Sequence, residues 1–210
     1  MAVRTRRGAY SDAVEGTGAR PPRTVITVVD YDPAWPERFE VLRGEYARAL
    51  DAAGVPVVSI EHVGSTSVPG LAAKPIIDCD IVVGEVAVPA ASAVLEDLGF
   101  SPLGELGIER RWAFREPERL RGTNTYVVVD GSLALHNHRC VRDTLRADPA
   151  LRDAYAHAKR AAAAAALDID DYGQRKSPVI QRILAAGGLT AEQLAVINAA
   201  QVPSHQDLPR

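Results

Sequence analysis

The order of strand and helix signals constrains the fold of this chain more than any other sequence feature. Strand-like runs are confined to the first 130 residues, where they alternate with helix patterns, and the remainder carries helix patterns alone. The predicted strands are 57–63, 76–83, 111–115 and 123–129. Helices are predicted between 33 and 54, over 89–98 and from about 137 onward. This order predicts an α+β domain with a small mixed β-sheet and a helical C-terminal part.

Composition and charge narrow the functional classes. The 210 residues are 47% hydrophobic and 24% charged, which suits one ordinary globular domain. A formal net charge of −3 argues against nucleic acid as a partner, and two cysteines exclude a disulfide scaffold. No apolar run approaches the ~18 residues of a membrane span, and no apolar segment follows the basic start of the chain. We therefore expect a cytoplasmic protein with no membrane partner.

The two ends of the chain differ from its centre. Residues 1–22 combine scattered arginines with glycines and a Pro-Pro pair, and they are predicted to form a mobile tail. Gly187-Gly188 ends the last long helix, and residues 190–193 have the form of a capping box. The expected organisation is this tail, a domain over 23–186, and a C-terminal helix and tail over 187–210.

Two aspartates on one predicted strand are the clearest candidates for chemistry. Side chains alternate along a strand, so Asp78 and Asp80 point to one face and Cys79 to the other. Two like charges on an apolar strand are costly, and a hard divalent cation removes that cost. The alternative is a merely acidic exposed face, but Ile76 and Val82 on the same face are apolar. The pattern predicts a Mg²⁺ (or Mn²⁺) site at the two aspartates, and Cys79 is predicted to be a buried apolar residue.

A glycine-serine turn directly after the first predicted strand is a candidate phosphate site. Gly64, Ser65 and Thr66 offer backbone N–H groups and hydroxyls, which are the groups a phosphate oxygen accepts from. The spacing of a Walker loop is not met, because Gly70 is followed by Leu71 and not by lysine. A purely structural turn remains the alternative.

Three lysines are further candidates for phosphate binding. Lys159 and Lys176 lie in predicted helices, and they meet a common phosphate only if those helices pack together. Lys74, just before the aspartate strand, is an additional candidate. For the late lysines, the alternative is a solvated charged face balanced by nearby aspartates.

His136 and His138 stand two residues apart, but no second His/Cys cluster accompanies them. A zinc site needs further ligands at suitable spacing. We interpret both as histidines that hydrogen-bond neighbouring groups.

Over about two-thirds of its length the chain resembles the GrpB family of the nucleotidyltransferase superfamily. The most specific segment is 61–80, EHVGSTSVPGLAAKPIIDCD. The resemblance begins with YDPAWP at 31–36 and ends with two Tyr-x-x-x-Lys pairs, at 155–159 and 172–176. It implies a polymerase-β-like core, with nucleotide phosphates on Gly64 and Ser65 and Mg²⁺ on the two aspartates.

The chain departs from the pattern of that superfamily at a third acid on a later strand. Residues 124–129 contain no carboxylate, and Tyr126 stands where many relatives carry a histidine. Glu109 is a candidate substitute, whereas Asp130 follows the strand in a predicted turn, too far along. Asn124 and Tyr126 are poor bases near neutral pH. We therefore expect Tyr126 to line the pocket and nucleotide binding to be easier to detect than turnover.

Three functional hypotheses follow from the resemblance. The first is Mg²⁺-dependent transfer of a nucleotidyl group from a nucleoside triphosphate to an unknown acceptor. The second is a non-catalytic nucleotide-binding module, which could serve coenzyme A metabolism because GrpB-like domains also occur fused to dephospho-CoA kinases. The third is a metal-dependent phosphate-ester hydrolase.

Overall fold

A five-stranded mixed sheet forms the centre of the molecule. In the computed structural model, which describes residues 25–200, the strands are β1 (Val57–Val63), β2 (Ile77–Val83), β3 (Ser101–Gly104), β4 (Arg111–Arg115) and β5 (Thr123–Val129). Their order across the sheet is β1-β2-β5-β4-β3. β2 and β5 are parallel, and the other neighbouring pairs are antiparallel. The predicted α+β class with a small mixed sheet is confirmed.

Six α-helices accompany the sheet within residues 25–200. They are α1 (Trp35–Ala52), α2 (Val88–Asp97), α3 (Leu133–Ala147), α4 (Pro149–Ala165), α5 (Ile169–Ala186) and α6 (Ala191–Ala200). The last four follow one another without an intervening strand, so the helical C-terminal part is confirmed. In the described range, every helix is too short or too polar to cross a membrane. The predicted tail over 1–22 lies outside the described residues.

Two elements differ from the sequence-based expectations. The sequence pattern does not predict β3, because Pro102 and Gly104 are poor strand formers. β3 is an edge strand, where proline is tolerated because one side of the strand needs no N–H donor. α3 begins at Leu133 rather than near 137, because the Ser132 hydroxyl accepts a hydrogen bond from the Leu135 N–H (3.2 Å) and caps the helix.

The two faces of β2 meet different surroundings. Cys79 and Ile81 belong to the main core, which β2 forms with α1 and α2. Cys79 is fully buried there, which confirms its apolar role. Asp78 and Asp80 alternate with these residues and point to the opposite face, where Val82 packs in a second cluster with residues of α3. The sheet therefore turns its two strand carboxylates towards the helical part.

An ion-pair cluster fastens α3 to β1. Glu61 accepts hydrogen bonds from Arg139, from Arg142 (Nη1–Oε2 2.8 Å) and from the Ser59 hydroxyl (2.9 Å). Burial raises the pKa of Glu61, but the hydrogen bonds from the two arginines outweigh it and lower that pKa to about 2. The cluster thus holds the first helix of the C-terminal part against the sheet.

We expect the Glu61 cluster to make stability sensitive to acid. The folded-state pKa of about 2 lies below the ordinary 4.5, so the stabilisation is complete above pH ~4.5 and is lost as the pH falls towards 2. Glu61→Gln should lower the free energy of unfolding at pH 7 by on the order of 2 kcal/mol and flatten its decline between pH 5 and 2. Urea titrations at several pH values measure both effects, with the exposed Glu96→Gln as control. Parallel wild-type and Glu61→Gln profiles would contradict the role of the cluster.

α5 lies against α3 with no space at Gly187. A Cβ atom at Gly187 would overlap Cys140 Sγ and Thr144 Oγ1. Leu184 of α5 and Ile197 of α6 pack with Cys140 and bury this region. A glycine at the end of α5 is therefore what permits this approach of the two helices.

Gly187→Ala should lower the free energy of unfolding by about 1–3 kcal/mol, because the added methyl group overpacks the α3–α5 contact. Gly173→Ala, in the interior of the same helix, is the matched control, because a Cβ there has nothing within 4 Å. The control should be neutral or stabilising by about 0.5–1 kcal/mol, since alanine is the better helix former. Thermal melts of the two variants test this contrast, which fails if both shift the melting temperature equally.

Candidate active site

A cavity of about 300 Å³ lies between the sheet and the helical part. It is bounded by β2 and β5, by the loop between β1 and β2, and by α3, α4 and α5. Seven of the sequence-predicted site residues line it: Gly64, Ser65, Lys74, Asp78, Tyr126, Lys159 and Lys176. The other two, Thr66 and Asp80, are buried beside it and do not contribute to its lining.

Gly64 brings the loop after β1 onto the aspartate strand. Its φ of +67° lies in the left-handed region that favours glycine, and a Cβ atom there would overlap the Asp78 carboxylate. The adjacent Ser65 lines the cavity and hydrogen-bonds the side chain of Tyr155. The backbone of Gly64 and the hydroxyl of Ser65 therefore lie directly beside a carboxylate.

Thr66 has contacts within the protein instead of facing the cavity. Its hydroxyl donates to the Ile76 carbonyl (3.0 Å) and lies 3.0 Å from Nε2 of His62. Burial, together with the charges of Arg146 and Arg142, lowers the pKa of His62 to about 4, so this imidazole is neutral at pH 7. Thr66 thus holds the loop in position and leaves the ligand-facing role to its neighbours.

Cationic side chains from the helices bind the carbonyl groups of the same loop. Arg146 donates from Nε and Nη2 to the Ser67 carbonyl (3.1 and 2.7 Å). Lys159 donates from Nζ to the Ala72 carbonyl (2.7 Å). The C-terminal helices therefore determine the path of the loop that carries Gly64 and Ser65.

The two aspartates are each held through one oxygen. Asp78 Oδ1 accepts from Asn124 Nδ2 (2.8 Å), its register partner in β5. Asp80 is fully buried, and its Oδ2 pairs with Nδ1 of His138 (2.8 Å). Burial raises the pKa of Asp78, whereas the pKa of His138, which burial lowers, is raised overall by the charge and hydrogen bond of Asp80.

The free oxygens of these carboxylates suit a hard cation. Asp80 Oδ1 is buried and has no hydrogen-bond partner in the described part of the chain. An orphaned carboxylate oxygen beside a second carboxylate fits Mg²⁺, which typically binds one or two carboxylates and completes its shell with water and substrate phosphates. His138 and Asn124 would then orient the ligands from behind, as hydrogen-bonded neighbours commonly do at metal sites.

The described residues supply no third acid to this arrangement. Within 25–200, no group of three His, Cys, Asp or Glu side chains is placed to hold a metal ion. Glu109 and Asp130 are exposed and lie outside the cavity lining. Tyr126 occupies the position opposite Asp80 in β5, where burial raises its pKa and keeps the hydroxyl protonated. Tyr126 can therefore donate a hydrogen bond but is a poor base.

Three lysines line the cavity together with Asp78. Lys159 is 2% exposed, and burial, with the charge of Lys176, lowers its pKa to about 7. The pKa values of Lys74 and Lys176 are also lowered by burial. Such desolvated cations are most strongly stabilised by an anion. The condition for a shared phosphate site, that the late helices pack together, is met because α4 and α5 both line the cavity.

Sequence reasoning missed the side chains that orient the candidate ligands. The sequence predicts that His138 hydrogen-bonds neighbouring groups. Its partner is instead Asp80, which lies 58 residues earlier in the chain, and no local pattern predicts that pairing. Tyr155 and Tyr172 also line the cavity. Their signal was the Tyr-x-x-x-Lys spacing, which places each tyrosine one helical turn before a cavity lysine.

Comparison with known proteins identifies relatives of this chain. The model of the family described as GrpB protein matches residues 25–186. The UPF0157 protein SCO7215 of Streptomyces coelicolor is 39% identical over 175 residues, which are 80% of this chain and 87% of the relative. The crystal structure of the conserved protein GrpB from Enterococcus faecalis is 32% identical with a TM-score of 0.65, and it covers 76% of this chain and 98% of that one.

Other matches are longer proteins or similar in fold alone. A dephospho-CoA kinase of Mycolicibacterium paratuberculosis is 30% identical over 185 residues, which are 74% of this chain and 44% of the kinase. The chain likewise spans 46% of the UPF0157 protein YqkA of Bacillus subtilis, at 34% identity and 76% coverage of its own length. A structure of Cid1 in complex with its product ApU overlaps 63% of this chain and 42% of Cid1, with 14% identity and a TM-score of 0.44.

Proposed function

The chain belongs to the GrpB family, and we propose that its cavity binds a nucleoside triphosphate together with Mg²⁺ (or Mn²⁺) and transfers the nucleotidyl group to an acceptor. The observation that carries the proposal is the set of charges at one cavity. Asp78 and three lysines with lowered pKa values line it, and the orphaned Oδ1 of Asp80 belongs to the same strand as Asp78. A metal–triphosphate complex carries the complementary charges. We also propose a cytoplasmic location, because nucleoside triphosphates are abundant there.

Each group of residues has a distinct part in this reaction. Asp78 and Asp80 would hold the metal ion, which neutralises charge on the phosphates and the leaving pyrophosphate. Gly64 and Ser65 would donate hydrogen bonds to the phosphate chain. The lysines would stabilise the negative charge that moves onto pyrophosphate as the bond to the α-phosphorus breaks.

A second function, nucleotide binding without turnover, is favoured by the missing third acid. In the described residues His138 is already paired with Asp80, and Tyr126, the register partner of Asp80 in β5, stays protonated. A site of this kind binds nucleotide but lacks a carboxylate base to activate an acceptor. The match to a dephospho-CoA kinase makes coenzyme A precursors reasonable ligands for such a module.

Incubation with nucleotides labelled at the α- or γ-phosphate, in the presence of Mg²⁺, separates the hypotheses. Label from the α-phosphate on an acceptor supports transfer, bound but unchanged nucleotide supports the binding module, and free phosphate supports a hydrolase.

Asp78→Asn and Asp80→Asn should each weaken Mn²⁺ binding by at least tenfold while the fold persists, because each removes one anionic ligand. Asp97→Asn, an exposed carboxylate at the end of α2, is the charge-matched control. Wild-type Mn²⁺ affinity in both site variants would overturn the metal assignment.

Nucleotide binding should take up a proton at pH 8 and little at pH 6. Lys159, with a pKa of about 7, is mostly neutral at pH 8, and a bound anion raises that pKa and recharges the amine. At pH 6 the amine is already charged. Titration calorimetry with metal-free ATP in two buffers of different ionisation enthalpy measures the uptake, which Lys159→Met should abolish. Identical binding enthalpies in both buffers at pH 8 would contradict it.

A further inference from the structure

We propose that the part of the cavity lined by Lys74, α4 and α5 is a polyphosphate subsite that works without a metal ion, with the Tyr172 hydroxyl as a donor to the bound phosphate chain. The inference rests on the proposed function, because it names how that same cavity holds the phosphates. It goes further in assigning a residue and in separating anion binding from the aspartates. Its ligand class is a chain of two or three phosphates.

The ring of Tyr172 has two of the cavity lysines near it. The Lys176 Nζ is 4.6 Å from the centroid of its ring, and the Lys74 Nζ is 5.7 Å from the same centroid. Both amines are attracted to the ring, which keeps them at the cavity without neutralising them. The ion pairs found within residues 25–200 involve none of the three cavity lysines. Within the described residues these amines therefore have no ion-pair partner, and Lys159 donates to the Ala72 carbonyl instead.

The hydroxyl of Tyr172 is a buried donor without a partner. Tyr172 is 1% exposed, lines the cavity, and its oxygen has no hydrogen-bond partner in the described structure. An unsatisfied buried hydroxyl destabilises a protein, whereas phenylalanine would fill the same volume without that penalty. Tyr155, which also lines the cavity, differs from Tyr172 because its side chain is hydrogen-bonded to Ser65. An orphaned donor among desolvated cations is complementary to the oxygens of an anion.

The positions of the donors favour a phosphate chain over a single phosphate. Lys74 precedes β2, Lys159 projects from α4, and Lys176 from α5, so the cations come from three separate elements around the cavity. The Tyr172 ring contacts two of them, and Lys159 Nζ lies 5.0 Å from the ring centroid of Tyr155 instead. A chain of phosphoryl groups spans donors that come from three separate elements better than one compact phosphate does.

Tyr172→Phe tests the proposal with two effects of opposite sign. In the ligand-free protein, removing the unsatisfied hydroxyl should raise the melting temperature by about 2–4 °C. The same change should weaken the binding of inorganic tripolyphosphate, measured by calorimetry in EDTA, by about tenfold, since one hydrogen bond to a charged group is lost. Tyr155→Phe is the matched control, and it should lower the melting temperature because its hydroxyl is already paired.

The binding series uses tripolyphosphate, pyrophosphate and phosphate, and we expect affinity to fall in that order. Lys176→Gln should weaken tripolyphosphate binding at least as much as Tyr172→Phe. Equal tripolyphosphate affinity in wild type and Tyr172→Phe, or binding that requires Mg²⁺, would overturn the inference. Tripolyphosphate carries no nucleotidyl group, and EDTA removes the metal. The subsite can therefore fail while labelled nucleotide is still transferred, or succeed where transfer is absent.

Discussion

The buried side chain of Asp80 constrains how the helical part lies against the sheet. A fully buried charge on an apolar strand is tolerated only when it is paired and hydrogen-bonded. The partner is His138, which comes from α3 and not from the sheet. Satisfying that one charge therefore fixes the first C-terminal helix over the face of β2, and the Glu61 cluster with Arg139 and Arg142 holds the helix at a second point.

Once α3 is placed, the remaining helices and the loop between β1 and β2 become mutually dependent. Arg146 of α3 and Lys159 of α4 bind loop carbonyls, and Val68 and Leu71 of the loop pack with Leu145 of α3. The loop is thereby pressed towards β2, where only glycine at position 64 fits against Asp78. A turn that could have been merely structural thus becomes one wall of a cavity.

Sequence patterns predicted those parts of the fold and site that depend on local order. Period-two alternation along β2 predicted that Cys79 enters the core, and the helix signals predicted the C-terminal part. β3 was not predicted from the sequence because Pro102 and Gly104 oppose strand formation in isolation, and only its position at the sheet edge makes them acceptable. The pairing of Asp80 with His138 was not predicted for a different reason. It joins residues far apart in sequence, and its cause is tertiary burial.

The candidate site itself combines local and long-range information. A strand pattern is sufficient to nominate two aspartates, but whether late lysines reach the same ligand depends on helix packing, which spacing alone does not determine. The same limit applied to Thr66, whose hydroxyl faces Ile76 and His62 and not the cavity. Neighbouring residues of a turn point in different directions, so membership of a motif does not assign a role to each of its members.

The electrostatics of the cavity restrict which ligand can satisfy it. Burial raises the pKa of Asp78 and lowers the pKa of Lys159, and the opposite charges within the cavity offset these shifts only in part. A metal ion alone would stabilise the charged carboxylates and repel the lysines. A phosphate chain alone would recharge the lysines and repel Asp78. A ligand that brings a cation and a polyanion together stabilises both sets of charges at once, and this mutual support is the physical reason for the two parts of the site to bind cooperatively.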